Sequence, residues 1–211
     1  MKDLAFRLAA LALPLSLACG GNSPPPPAPV LVPPRLDMHQ YARAGLVLFT
    51  VEKVKGQMDQ IATQRFSEAV LEAQPGIEVL EVGSADSVRR RVGETENGAA
   101  TARALGAAYG VPVVFVGHLK MSNVTPQGGL SGLFQGHLDA TVSAELSVAL
   151  IATNSGGTLW RSSGVASRKI GGLSLVGGEP YVSAKDPNKA YSALVYDLVD
   201  YVTRDLRPTW Q

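Results

Sequence analysis

The chain has 211 residues, with 19 Lys and Arg, 18 Asp and Glu, a formal net charge of +1 and one cysteine. That balance offers no basic surplus for a general nucleic-acid or anionic-surface binder, and a lone cysteine excludes an intrachain disulfide framework. The chain opens with Lys2 and Arg7, then the apolar run "LAALALPLSLA" from Leu8 to Ala18. This is the layout of a secretory signal peptide over residues 1–18. The run carries Pro14 and is shorter than the roughly 20 apolar residues a bilayer-spanning helix needs, so it does not read as a permanent transmembrane anchor.

Cys19 follows at once, in "LSLACGGNSPPPPAPV". "LSLAC" resembles the lipobox of bacterial lipoproteins, with Ala18 in the small position before the cysteine and Ser16 where leucine is commonest. The resemblance implies cleavage after Ala18, lipidation of Cys19 and attachment to a membrane by acyl chains, two or more of which give stable anchoring. An ordinary signal peptide with an incidental cysteine is the alternative. Gly20, in place of the aspartate that retains such lipoproteins at the inner membrane, implies outer-membrane placement with the domain facing the periplasm. Without residues 1–18 the chain keeps 17 basic and 17 acidic residues.

Gly20 to Pro34, "GGNSPPPPAPVLVPP", reads as an extended spacer, because proline removes backbone donors and fixes polyproline geometry. The expected organisation is a signal peptide at 1–18, a lipidated proline-rich tether at 19–43 and a single α/β domain at 44–211.

"AGLVLFTVE" (44–52) predicts a central strand. Met58, Ile61, Ala62, Ala69, Val70 and Ala73 recur at helical spacing and predict a helix over 57–73, stopped by Pro75-Gly76. "IEVLEVGS" (77–84) predicts a second strand, residues 84–109 two helical pieces broken near Asn97-Gly98, and "VPVVFVGHLK" (111–120) a third strand. "RRR" at 89–91 reads as a solvated helix face beside Asp86, Glu94 and Glu96 in preference to a phosphate site.

Then the pattern becomes antiparallel. In 137–153 the residues Leu138, Ala140, Val142, Ala144, Leu146, Val148 and Leu150 alternate with polar ones, "NSGG" (154–157) supplies turn chemistry, and "TLWRSSGVASRK" is the return strand. Asp186-Pro187 predicts the start of a closing helix with an apolar stripe of Tyr191, Leu194, Val195, Leu198 and Val202. The fold class is α/β, a two- or three-layer sandwich with a mixed sheet in the order β-α-β-α-β, hairpin, helix.

Catalytic and cofactor motifs are not met. His39, His118 and His137 are far apart and lack metal-ligand neighbours, and Asp37, Asp59 and Asp86 are scattered. "GLSGL" (129–133) and "GLSLV" (172–176) miss the second glycine of a nucleophile elbow, and "VEKVKGQMD" lacks the glycines of a dinucleotide or phosphate loop. Trp160, a candidate for stacking on sugar, reads better as core. Expected catalytic, cofactor and metal residues are therefore none, and no cofactor is expected.

"ARALGAAYGVPVVFVGHL", "VSAELSVALIAT" and "SGGTLW" together resemble a superfamily of bacterial envelope lipoproteins. It includes the curli secretion-channel lipoprotein, the lipoprotein activators of penicillin-binding proteins and the amino-terminal domain of the Tol-Pal β-propeller protein. Thr153 and Asn154 depart from its usual acidic residue before the turn. The resemblance implies an adaptor, as a monomer or a small homo-oligomer, that binds other cell-envelope proteins without catalysis. The alternatives are a subunit of a curli-channel-like oligomeric pore, an unrecognised hydrolase or a small-ligand binder. The glycine-rich stretches 122–137 and 167–188 read as mobile, partner-contacting loops, since neither alternates cleanly over two strands.

Overall fold

The computed structural model describes residues 28–53, 57–93, 99–122, 125–127, 138–176, 179–184 and 187–210. Cys19, His137 and Asp186 lie outside them.

β2 (Arg43–Leu48) is buried on both sides from Ala44 to Val47, which explains its unbroken apolar sequence. It pairs in parallel with β4 (Glu78–Ser84) and β5 (Val113–Met121). Parallel neighbours need crossovers, and helices supply them. α1 (Met58–Ala73) connects β2 to β4, while α2 (Ala85–Val92) and α3 (Ala99–Tyr109) connect β4 to β5. β7 (Leu138–Ala152) continues the sheet antiparallel to β5, followed by β8 (Thr158–Val176) and β9 (Glu179–Ala184). The order is β4-β2-β5-β7-β8-β9, with β3 (Thr50–Glu52) added to β5 and β6 (Thr125–Gln127) to β7. α4 (Pro187–Val202) closes the fold.

The sheet is the middle of a three-layer sandwich. One face carries α1 and α4 over a core built on Phe49, Phe66 and Phe115, whose successive ring centroids are 5.3 and 5.1 Å apart. The other carries α2 and α3 over Val47, Val82, Val88, Ala102, Leu105 and Val114, a cluster with no aromatic residue in its buried part. Ser84 caps α2 by accepting from the Ser87 amide at 3.2 Å, and Gly93 ends it at φ +74°.

Three expectations change. The strand expected over 44–52 divides at Phe49, whose side chain turns into the core while its amide donates to Thr63 Oγ1 at 2.8 Å. The tether does not extend to residue 43. β1 (Leu31–Val32) pairs with β10 (Thr209–Trp210), and Leu36 and Met38 are buried, so these residues belong to the folded domain. The glycine-rich stretch 167–188 is not a loop over most of its length. β8 continues through Gly171 and Gly172, which pair with β7 on one side and β9 on the other. Two ladders satisfy this backbone, so the strand persists without the side-chain alternation that would announce it. In 122–137, residues 125–127 form β6 and residues 123–124 and 128–137 lie outside the described residues.

Candidate functional site

On the α2/α3 side the helices cover β4, β2 and part of β5, and α3 reaches the end of β7. Between them and the sheet lies a cavity of about 420 Å³, within the usual range for ligand and anchor pockets. Its walls are aliphatic: Val47, Val88, Ala102, Leu105, Val114 and Ile151. The residues here are small for a local reason. α3 presents Ala102 and Leu105, and β7 presents Ala149, where the opposite face of the sheet is filled by phenylalanines.

Polar groups stand at one end of this cavity. His118 and Ser147 are directly opposite each other on β5 and β7, with Thr50 beside His118 on β3 and Arg161 opposite Ala149 on β8. His118 Nδ1 lies 2.8 Å from Thr50 Oγ1, and its Nε2 lies 3.3 Å from Glu52 Oε1. The Thr50 hydroxyl is also 3.3 Å from the Gly117 carbonyl, but with His118 protonated on Nε2 its one hydrogen is donated to Nδ1. With its hydrogen on Nε2 the imidazole donates to Glu52, which orients the ring across the mouth. The His118 and Glu52 side chains are 44% and 52% exposed, so solvent screens the pair. Arg161 is exposed and has no ion-pair or hydrogen-bond partner among the described residues. The site is an aliphatic pocket with His118 and Arg161 at its border, and Glu52 behind His118.

The other residues singled out in the sequence lie elsewhere. His39 is clamped just before β2, with Nδ1 2.7 Å from Asp37 Oδ1 and Nε2 3.0 Å from the Pro75 carbonyl. The Asp37 hydrogen bond, then that carbonyl, hold its pKa above the ordinary 6.5. The His39 amide, then its ring, hold the Asp37 carboxyl below its ordinary 3.8. Trp160 packs edge-on against Phe115 at 6.3 Å, as a core residue, and its buried Nε1 has no partner among the described residues. Arg89 pairs with Asp86, and Arg91 bonds the Tyr109 hydroxyl, so two of the three consecutive arginines are engaged on the outer helical layer. Among the described residues, no group of three or more His, Cys, Asp or Glu could hold a metal ion, and no helix is long and apolar enough to cross a membrane.

Two residues carry more structure than their sequence context signals. Thr153, where the resemblance calls for an acid, is buried, with Oγ1 2.7 and 2.9 Å from the carbonyls of Val111 and Pro112, and it packs on Gly106 of α3. Gln74 is 1% exposed and accepts from the Met38 amide at 3.0 Å while donating to the carbonyls of Leu36 and Leu206 at 3.2 and 2.5 Å. A glutamine directly before Pro-Gly is the only sequence signal for this junction.

No family profile matches the chain, and no curated protein matches it. Among solved structures, it is similar to the PelC dodecamer from Paraburkholderia phytofirmans at 10% identity, over 85% of this chain and 97% of that chain, with a TM-score of 0.45. It is similar to lipoprotein GNA1162 from Neisseria meningitidis at 14% identity, over 75% and 95%, with a TM-score of 0.41. The LpoB C-terminal domain from Salmonella enterica is matched at 11% identity, over 59% and 81%, with a TM-score of 0.35. At these scores the likeness assigns no function.

Proposed function

We propose that this chain is an envelope lipoprotein, anchored at the outer membrane through lipidated Cys19, whose periplasmic domain binds another envelope protein without catalysis. The observation that supports binding is the aliphatic cavity of about 420 Å³ with Arg161 and His118 at its border, His118 being held by Glu52. A buried pocket with a charged, solvated border suits an apolar anchor side chain from a partner, with the border adding selectivity. The anchor and the segment between Cys19 and β1 hold this pocket near one membrane and raise its effective concentration for partners there. The pore reading gains nothing from β9, whose six residues fall short of the roughly 9–11 that a spanning strand needs.

Cys19→Ser should abolish lipid labelling and release the protein from the membrane fraction; unchanged fractionation refutes the anchor. Ala102→Phe, which fills the pocket, should keep the protein in the membrane and remove its crosslinked partner in intact cells. Ala149→Leu repeats the test from the sheet side, in case the first variant disturbs α3. Crosslinks that survive both changes in folded protein refute the pocket as the contact.

A further inference from the structure

The eight-stranded sheet has two open sides. β4 pairs only with β2. β8 pairs with β7 along its length, but β9 reaches only Gly171–Val176, so among the described residues 158–170 have no strand on that side. At roughly 3.3 Å per residue this free edge is about 40 Å long. Neither edge is loosely held: α1 and α2 pack on β4, and α4 packs on β8, where Gly164 admits the Tyr201 ring and Arg168 meets Asp197 at 2.9 Å. Unpaired rigid edges are templates for strand addition unless charge or geometry blocks them.

The charges on the two edges have opposite sign. β4 contains Glu78 and Glu81 and no base, whereas β8 contains Arg161, Arg168 and Lys169 and no acid. Arg43 engages Glu78 at 2.7 Å, Asp197 engages Arg168, and Lys169 has an interaction of its own. Glu81 and Arg161 are left without a partner among the described residues. An edge approaching its own copy would bring Glu81 to Glu81 or Arg161 to Arg161. β4 approaching β8 brings opposite charges together. Like charges across a strand pair disfavour it and opposite charges favour it, so this pattern acts against two-fold pairing and for a head-to-tail one.

We infer that the β4 edge of one copy adds antiparallel to the free β8 edge of a second copy turned over relative to it, which brings Glu81, on the α1/α4 face, to the same side as Arg161, on the α2/α3 face, so that copies associate head to tail by extending one sheet. Such a contact is heterologous and does not stop at two; it closes into a ring or runs on as a filament. β4 offers seven residues, and a single strand of that length falls short of the roughly 1,000 Å² expected of a stable interface. Association is therefore concentration- and salt-dependent, favoured when copies crowd on one membrane. The inference does not depend on the pocket.

The test uses the full chain extracted in detergent, with mass followed by light scattering across concentration and salt. The expected result is a mass that grows past a dimer as concentration rises and falls as salt rises. Glu81→Arg and Arg161→Glu alone should each weaken association roughly ten-fold, and the double reversal should restore it. A Glu81→Cys/Arg161→Cys chain should give a ladder of oxidised multimers, and either single cysteine should give none. A monomer at all concentrations, a dimer that ignores the reversals, or a double reversal no better than the singles overturns the inference.

Discussion

Gln74→Ala tests how the N-terminal segment is joined to the domain. The side chain closes three backbone groups: the Met38 amide, the Leu36 carbonyl and the Leu206 carbonyl. Leu36, Met38 and Leu206 are themselves buried, so truncation leaves these groups facing apolar surroundings. A typical hydrogen bond contributes about 1 kcal/mol net and an orphaned buried group costs about 1–3 kcal/mol, which places the three-bond loss at roughly 3–5 kcal/mol. At roughly 2–4 °C per kcal/mol for a domain of this size, Tm should fall by about 6–20 °C. Urea and thermal unfolding of the full chain in detergent, followed by tryptophan fluorescence, measure the free-energy loss and the Tm shift with two probes. Trp160 reports the core, and the 69%-exposed Trp210 reports the β1/β10 pair beside the junction. The control is Gln64→Ala on the same helix, where an exposed bond to Glu68 at 3.0 Å contributes about 0.3–0.5 kcal/mol. Equal shifts for the two variants would show that Gln74 is not the clamp.

Gly117→Ala would set a Cβ 2.4 Å from the Phe49 ring. Overpacking of this kind costs about 1–3 kcal/mol, measurable in the same urea assay; Phe49→Leu in that background should recover part of it, and two independent, additive losses would refute the clash. His39 should titrate above 6.5 by NMR, and Asp37→Asn should lower its midpoint. Its raised pKa means its stabilising contribution is complete below 6.5 and fades as pH rises through the folded value. The lowered pKa of Asp37 means its contribution is present above 3.8 and fades as pH falls through its folded value, so the pair supports the fold best between those limits. A His39 midpoint unmoved by Asp37→Asn would refute the assignment.

The elements most legible in the sequence are those whose burial leaves a periodic trace. The run at 44–48 is apolar throughout because β2 is covered on both faces, and 142–150 alternates because β7 turns one side to the phenylalanine core. What escaped notice depends on single contacts across long separations. Phe49 leaves the strand to meet Phe66, which in turn meets Phe115, and no local pattern marks that departure. Leu36 and Met38 are isolated apolar residues in a proline-flanked polar stretch, and their burial is set by Gln74 and the C-terminus. The glycines of β8 suppress alternation where a third strand supplies order.

The cavity belongs to this second kind, and its position follows from the division of labour between the two faces of the sheet. Large side chains are concentrated under α1 and α4, where Phe49, Phe66, Phe115 and Trp160 form a chain of ring contacts. Leu36, Met38 and Leu206, from the first and last described segments, join the same core. The other face, with valine, alanine and leucine under two short helices, retains unfilled volume at modest cost because the first core already holds the sheet in place. Filling that volume should therefore disturb binding before it disturbs folding, whereas truncating Phe66, fully buried in the aromatic chain, should cost about 3–5 kcal/mol of stability.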